Sequence, residues 1–146
     1  MFDIIELRSK YVELYGAEPC SSGTLFDIET LLCLKLPEDF KNIAEFYSGG
    51  LLGGIGHHEI ASSSDATNIV EETLRIRKAT GLRKNLVILA EPPGSIIAFD
   101  VCDKPAIIWC DAVEVDNLNS MEFINAPDTW DSYSEFFSYL LDREEE

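Results

Sequence analysis

The sequence predicts a single α+β domain over residues 1–146, built from N-terminal helices, a central antiparallel β-meander and a closing amphipathic helix. Three observations support this fold class. Apolar residues recur at helical spacing in the first third of the chain and again at its end. Between these regions, three short β-branched or aromatic runs are separated by turns of hairpin length, which join antiparallel strands. A hydrophobic content of 46% is enough to form a core.

Four helices are predicted before the meander, each from an apolar stripe bounded by capping or breaking residues. They are a helix over residues 2–15 closed by Gly16 and Pro19, a second capped by Thr24, a third opened by Pro37 and ended by Gly49-Gly50, and a fourth over 66–79 capped by Asp65. A hydroxyl or carboxylate at the cap accepts a backbone N–H of the first turn, and proline is tolerated there because its missing N–H would be unpaired anyway.

The meander and the last helix follow along the chain. The predicted strands are Leu86–Ala90, Ser95–Val101 and Ala106–Cys110, with a short strand at 55–60 and edge strands at Val113 and Val115 and at Phe123 and Ile124. The closing helix begins after Pro127-Asp128 and carries on one face Trp130, Tyr133, Phe136, Phe137, Leu140 and Leu141. Residues 144–146 are expected to form a solvated acidic tail, because carboxylates are disfavoured at a helix C-terminus.

The charge of the chain excludes two classes of partner. There are 27 acidic and 11 basic side chains, and the formal net charge is −16. We therefore expect no nucleic-acid partner, since phosphate binding needs Lys and Arg, and no anionic membrane partner. Residues 85–146 hold 14 of the acidic groups and only two basic ones, so the strongest negative field is expected over the C-terminal half.

A cytoplasmic location is expected. Residues 1–6 lack the basic and apolar regions of a secretory signal, and no run approaches the ~20 apolar residues of a membrane span. The four cysteines are interpreted as reduced thiols, with a disulfide framework as the weaker alternative. The oligomeric state stays open. The basic stretch Arg75–Lys84 is either the exposed face of the fourth helix or a self-association surface.

The motifs that usually carry chemistry are incomplete in this sequence. Gly49–Gly56 lacks both the Lys-Ser/Thr of a phosphate-binding loop and the spacing of a dinucleotide fingerprint, so its glycines are predicted to serve tight turns. His57-His58-Glu59 with Asp65 offers metal-ligand types, but adjacent strand residues point to opposite faces. We expect no metal, no cofactor and no catalytic residue.

Carboxylates of the C-terminal half are the candidate partner-binding residues. The first choices are Asp100, Asp103, Asp111, Glu114 and Asp116, and the second choices near the Gly-rich turn are Glu59 and Asp65. Two interpretations stay open for the first group. They are solvated strand ends, or they form an acidic patch on the open side of the sheet that holds a basic partner.

Three groups of motifs, in order, resemble one known family. They are Leu36-Pro37-Glu38-Asp39-Phe40 with Phe46-Tyr47-Ser48-Gly49-Gly50, the strands Leu86–Ala90, Ile97–Asp100 and Ile107-Ile108-Trp109, and the closing Ser132–Leu141. This order and spacing resemble the Smi/Knr-type domain of the SUKH superfamily, whose final helix reads Ser-Phe-x-Glu-Phe-Leu. The run Leu51-Leu52-Gly53-Gly54 is similar to the Gly-Gly-Leu-x-Gly of some bacterial members.

The resemblance implies an α+β binding domain without catalytic residues. Bacterial members of the superfamily are largely immunity proteins of toxin systems, and fungal members are cell-wall synthesis regulators that act through partners. We therefore interpret the chain as an immunity protein that binds a cognate toxin with a basic surface, with a nuclease as the favoured class because its basic cleft complements an acidic surface. The alternatives are a non-catalytic scaffold or regulator, and an enzyme using His57, His58, Glu59 and Asp65.

Overall fold

The computed structural model describes residues 3–144. The helices are α1 (Ile4–Tyr15), α2 (Ser22–Leu32), α3 (Glu38–Ala44), α4 (Ile69–Thr80) and α5 (Tyr133–Glu144), and the strands are β1 (Gly50–Leu52), β2 (Ile55–His57), β3 (Leu86–Ala90), β4 (Ser95–Asp100), β5 (Ile107–Asp111) and β6 (Asp128–Trp130). A 3₁₀ segment, Ala112–Leu118, follows β5. The predicted α+β class with a closing helix is confirmed. None of the helices in residues 3–144 is long and apolar enough to cross a membrane.

The sheet is an antiparallel meander of six strands in the order β1-β2-β3-β4-β5-β6. Each strand pairs with its neighbour in the chain, as in the register Val87↔Phe99 between β3 and β4. Short connections enforce this pattern at β1–β2, β3–β4 and β4–β5, because a tight turn can only reverse the chain. Helix α4 lies between β2 and β3, and the 3₁₀ segment lies between β5 and β6. The three central strands match the prediction closely, whereas β1 and β6 were not predicted.

Both faces of the meander are buried, so the predicted acidic patch on an open side of the sheet is wrong. One face carries Val87, Leu89, Ile97 and Phe99 against the buried aromatic residues of α1, α3 and α5. Phe40, Phe99 and Tyr133 form one aromatic cluster, in which the ring centroid of Phe40 lies 5.4 Å from that of Phe99 and 4.7 Å from that of Tyr133. The other face carries Leu86, Ile88, Ile96 and Ala98. It is covered by Ile76 of α4, by Leu82 just after that helix and by Leu118 of the 3₁₀ segment.

Two helices begin at caps other than the predicted ones. The Ser21 hydroxyl accepts the Thr24 backbone N–H at 3.1 Å, so α2 starts before the predicted cap. Asn68 caps α4 instead of Asp65. The chain just before Asn68 cannot be helical, because Asn68 forms an isolated parallel bridge with Glu59 after β2.

The chain after β5 also differs from the prediction. The expected edge-strand residues Val113 and Val115 lie in the 3₁₀ segment, and Phe123 and Ile124 lie in a loop. Trp130 belongs to β6 and pairs with Ile107, although its spacing fits the apolar stripe of α5. Helix α5 therefore begins only at Tyr133.

Two glycines of the Gly-rich run permit close backbone packing. Gly49 has φ +99°, and a Cβ there would lie 2.5 Å from the His58 carbonyl oxygen. Gly53 has φ +63°, and a Cβ there would lie 2.9 Å from Leu140 Cδ2 in α5. Any other residue would push β2 or α5 away, so these two positions have a structural role.

The predicted solvated tail at 144–146 is wrong for its first residue. Glu144 ends α5, and its carboxylate accepts the backbone N–H of Gly53 and the hydroxyl of Tyr15, the latter at 2.6 Å. These hydrogen bonds offset the unfavourable position of a carboxylate at a helix C-terminus. Glu145 and Glu146 lie outside the described residues.

Candidate functional site

Asp100, predicted as a surface carboxylate, is buried at the end of β4, with 5% of its surface exposed. Its Oδ1 accepts the side-chain amide of Asn85 at 2.7 Å and the backbone N–H groups of Cys102 and Asp103 at 3.0 Å each. Its Oδ2 lies 3.5 Å from Arg83 Nη2. A carboxylate with this many donors shapes the β4–β5 turn and does not face a partner, so the surface prediction is wrong here.

Glu114 is also internal, with 4% exposure. Its Oε1 accepts the Ile124 N–H at 2.6 Å, and its Oε2 accepts the Asn125 N–H at 3.2 Å. These backbone hydrogen bonds, that of Ile124 above all, lower the pKa of the Glu114 carboxyl. Glu114 therefore fastens the loop at 122–126 to the 3₁₀ segment, and its predicted surface position is wrong.

The other three first choices are accessible but do not form one cluster. Asp103 is exposed in the β4–β5 loop, Asp116 is exposed on the 3₁₀ segment, and Asp111 is half-buried at the end of β5. The five residues of β5 separate the Asp103 end of the sheet from the Asp111 end, a distance of roughly 15 Å at the rise of an antiparallel strand. Only Asp111 and Asp116 lie on adjoining segments.

The second-choice residues lie on a different part of the molecule. Glu59 is half-buried after β2, and Asp65 is exposed in the loop that precedes α4. Strands β3 and β4 lie between β2 and the carboxylates of β5. The structure therefore does not bring the two groups of predicted residues together.

The basic stretch Arg75–Lys84 is exposed at Arg75, Lys78 and Lys84, which agrees with the predicted exposed face, and two of its arginines also pair with carboxylates. Arg75 forms ion pairs with Glu72 and Glu91. Arg83, beyond the end of α4, contacts Asp100. These arginines neutralise acidic groups close to the sheet, and the suggested self-association surface stays a prediction.

A groove at the β5–β6 end of the sheet combines acidic and aromatic groups. It has a volume of about 280 Å³ and is lined by Ser95, Trp109, Asp111, Asn125, Ala126 and Asp128. Trp109 pairs directly with Asp128 across the two strands, and Asp111 lies two residues beyond Trp109 on the same face. Asp111 accepts the Asn125 side-chain amide at 3.1 Å. Within residues 3–144, neither carboxylate forms a salt bridge. We call this the β5–β6 groove.

Sequence reasoning included Asp111 but missed Asp128 and the groove. Strand alternation alone would have placed Trp109 and Asp111 on one face. The position of Asp128 depends on β6, which the sequence pattern assigned to the start of the helix.

Two aliphatic side chains are strongly exposed near this groove. Val113 is 92% exposed and Ile124 is 89% exposed, more than any other large hydrophobic residue of the described chain. Val113 follows Asp111 by two residues, and Ile124 precedes Asn125. Val113 is next to Glu114 in the chain, and the backbone N–H of Ile124 donates a hydrogen bond to the Glu114 carboxylate. Contiguous apolar patches mark protein contact sites, whereas single exposed aliphatic residues are common on protein surfaces.

The two adjacent histidines lie on opposite sides, as strand alternation predicts. The ring of His57 contacts the rings of Tyr47 and Phe136, with centroids 6.3 Å apart in each case. His58 is buried on the other side and bonds to Glu91. An active centre that uses both histidines therefore has no geometric support.

His58, Glu72 and Glu91 have the chemistry of metal ligands, with one atom of each within 4.8 Å of the others. Arg75 Nη2 lies 2.6 Å from Glu91 and 3.0 Å from Glu72, so a guanidinium supplies the positive charge between the carboxylates. Burial alone would raise the pKa of Glu91, but Arg75 and His58 lower it below its ordinary value. Thr67 bonds the second ring nitrogen of His58 at 2.8 Å. The geometry is that of an ion-pair network joining α4 to β3.

The chain matches a known protein family. A protein-family model described as SUKH_5: SMI1-KNR4 cell-wall matches residues 1–140. The matched region runs from before α1 into α5 and includes every strand of the sheet. No curated protein matches the chain.

Proposed function

Since the chain belongs to the SMI1-KNR4 family of the SUKH type, we propose that it is an immunity protein that binds a cognate bacterial toxin and neutralises it by direct contact. The family match over residues 1–140 is the observation that carries the proposal. Proteins of this family are generally non-catalytic. The proposal accordingly assigns the chain a binding role in the cytoplasm and no reaction of its own.

The free acidic charge supports a basic partner. Of the 27 acidic side chains, those paired with Lys, Arg or His within residues 3–144 are Glu29, Glu72, Glu91 and Asp100. The net charge stays at −16, and most carboxylates of residues 3–144 carry no such partner and remain able to attract a basic protein. A toxin that acts on nucleic acid carries a basic cleft, and complementary charge speeds association with it. We propose a nuclease as the toxin class for this reason.

The proposed contact surface uses the accessible members of the predicted set. Asp103, Asp111 and Asp116 are the contact residues, whereas Glu59 and Asp65 form a second, separate candidate patch. Asp100 acts indirectly by holding the turn that carries Asp103. Glu114 does so by fastening the loop whose Asn125 hydrogen bonds to Asp111. An ordinary complex of this kind buries about 800 Å² on each partner.

Co-expression with the C-terminal domain of the toxin encoded beside this gene tests the proposal. The wild-type chain should protect the host from that domain and bind it at a rate that falls steeply with salt. Failure of the purified toxin domain to bind, together with unprotected cells, would contradict the immunity role.

Charge reversal tests the contact surface. The triple variant Asp103→Lys, Asp111→Lys and Asp116→Lys should lower the association rate by at least about tenfold, with a smaller effect on dissociation. The control reverses three other exposed carboxylates, Glu6, Glu13 and Asp27, and so makes the same change in net charge. Equal rates for the two variants would show that only total charge matters.

A scaffold or regulator is the second candidate function, because the description of the matching family includes the term cell-wall. This role predicts several endogenous partners and no protection against a toxin. Pull-down from the native host combined with the protection assay distinguishes the two functions.

A further inference from the structure

We infer that the β5–β6 groove receives an arginine side chain of the protein partner. The inference rests on the proposed function, because it names the chemistry by which an acidic immunity protein would hold a basic toxin. It goes beyond that function because it names one contact on this chain, the β5–β6 groove, and the partner side chain that binds there.

The groove has the size of a side-chain pocket. Its volume of about 280 Å³ lies just below the range of roughly 300–1,000 Å³ that is usual for pockets of whole small-molecule ligands. One long side chain entering from a partner surface is therefore a better match than a complete cofactor.

The two carboxylates are spaced to share one guanidinium. The register Trp109↔Asp128 makes Asp111 and Asp128 diagonal neighbours on adjacent strands, which places their Cα atoms about 7–8 Å apart. At that separation one planar group with several N–H donors can reach both carboxylates. Arginine provides such a group and keeps its charge at any physiological pH.

The aromatic residue gives a second and independent reason for a cation. Trp109 lies directly opposite Asp128 and two residues before Asp111 on the groove wall. Its side chain is only half-buried, and its ring centroid lies 6.4 Å from that of Trp130. The indole is the side chain that attracts cations most strongly through its ring face, and arginine stacks on it. Arg75 and Arg83 are engaged with Glu91 and Asp100, so they do not occupy this groove.

The exposed aliphatic pair fits the surroundings of such a contact. Val113 and Ile124 lie beside the segments that form the groove wall, and they offer an apolar surface to the residues next to the inserted arginine. Interfaces commonly combine an arginine anchor with nearby apolar contacts that exclude water.

The test uses N-acetyl-L-arginine amide as the probe and NMR of the tryptophan indole N–H groups as the readout. One of the two indole resonances, assigned to Trp109 by its loss in Trp109→Phe, should shift and saturate in the millimolar range. The matched neutral probe, N-acetyl-L-citrulline amide, has almost the same shape and should leave it unshifted. A shift of equal size with citrulline, or no saturable shift with arginine, overturns the inference.

Paired variants locate the effect. Asp111→Asn with Asp128→Asn keeps the side-chain shapes and should weaken arginine binding at least fivefold. Glu6→Gln with Glu13→Gln removes the same charge at exposed positions outside the groove and should change binding less than twofold. Equal weakening by both pairs would mean that the probe senses only the general field. Circular dichroism confirms that each variant is folded.

The same proteins are assayed against the toxin domain, so that the two proposals fail separately. Toxin protection without arginine binding would overturn the groove assignment and leave the immunity role standing. Arginine binding without toxin protection would leave the groove assignment standing and overturn the immunity role.

Discussion

The half-buried His57 should make the stability of the protein depend on pH in a defined window. Burial lowers the pKa of this imidazole to about 4, against the weaker opposing effect of a hydrogen bond with the Leu52 backbone. Its Nε2 has no hydrogen-bond partner within the described residues. In the unfolded chain the imidazole titrates near its ordinary pKa of about 6.5. Between these two values the unfolded chain binds a proton that the folded protein excludes.

The sign and size of the effect follow from this difference. The stabilisation is complete above about pH 6.5 and is lost as the pH falls towards 4, because protonation then favours unfolding. Well inside this pH range, each unit by which the pH falls lowers the free energy of unfolding by about 1.4 kcal/mol. The free energy of unfolding should therefore be about 2 kcal/mol lower at pH 5 than at pH 7.5, from His57 alone.

The measurement compares the wild type with His57→Phe by urea denaturation at pH 7.5, 6 and 5. Phenylalanine does not titrate and retains aromatic contact with Tyr47 and Phe136. His58 and all carboxylates are present in both proteins, so their contributions cancel in the difference. Parallel losses in the two proteins would refute the reasoning. So would a His57 ring titration near 6.5 in the folded state, measured directly by NMR.

Three further substitutions test packing and hydrogen bonds. Gly53→Ala should destabilise the fold by about 1–3 kcal/mol, because its backbone is left-handed and the new Cβ would collide with Leu140 of α5. The control Gly56→Ala should cost less than about 1 kcal/mol, because no atom lies within 4 Å of the new Cβ. Thr73→Val should lower the free energy of unfolding by about 1–3 kcal/mol, because the buried Ile88 N–H of β3 loses the Thr73 hydroxyl that accepts it at 2.9 Å. Thr73→Ser keeps this hydroxyl and should retain most of the stability. Asp100→Ala should cost about 2–3 kcal/mol in chemical denaturation, while Asp103→Ala stays within about 0.5 kcal/mol. Comparable losses within any pair would contradict the contact described for it.

The sequence predicts the central meander well because its signals are local. Leu86–Ala90 is bounded by turn residues, and the prediction matches β3 at both ends. By contrast, β1 (Gly50–Leu52) is three residues long and begins with glycine, so its strand state depends on pairing with β2. Trp130 fits a helical stripe by spacing, and only its pairing with Ile107 places it in β6.

The candidate site was harder to predict for a similar reason. A carboxylate in a sequence does not reveal whether its oxygens face water or backbone N–H groups from another segment. Glu114 is satisfied by a loop ten residues away, and Asp100 by its own turn and by Asn85. Asp128 joins Asp111 in the groove only through the β5–β6 register. Such long-range partners leave no periodic signature in the chain.

The strand order also bears on how copies of the protein behave when concentrated. The outer strands of the meander, β1 and β6, have only three residues each, so each edge offers few unpaired backbone groups to a second sheet. The β6 edge begins with the exposed carboxylate of Asp128. Edge-to-edge pairing would bring two molecules of net charge −16 into contact. Short edges and mutual repulsion together oppose aggregation, so the acidity proposed to attract a toxin also keeps copies of this chain apart.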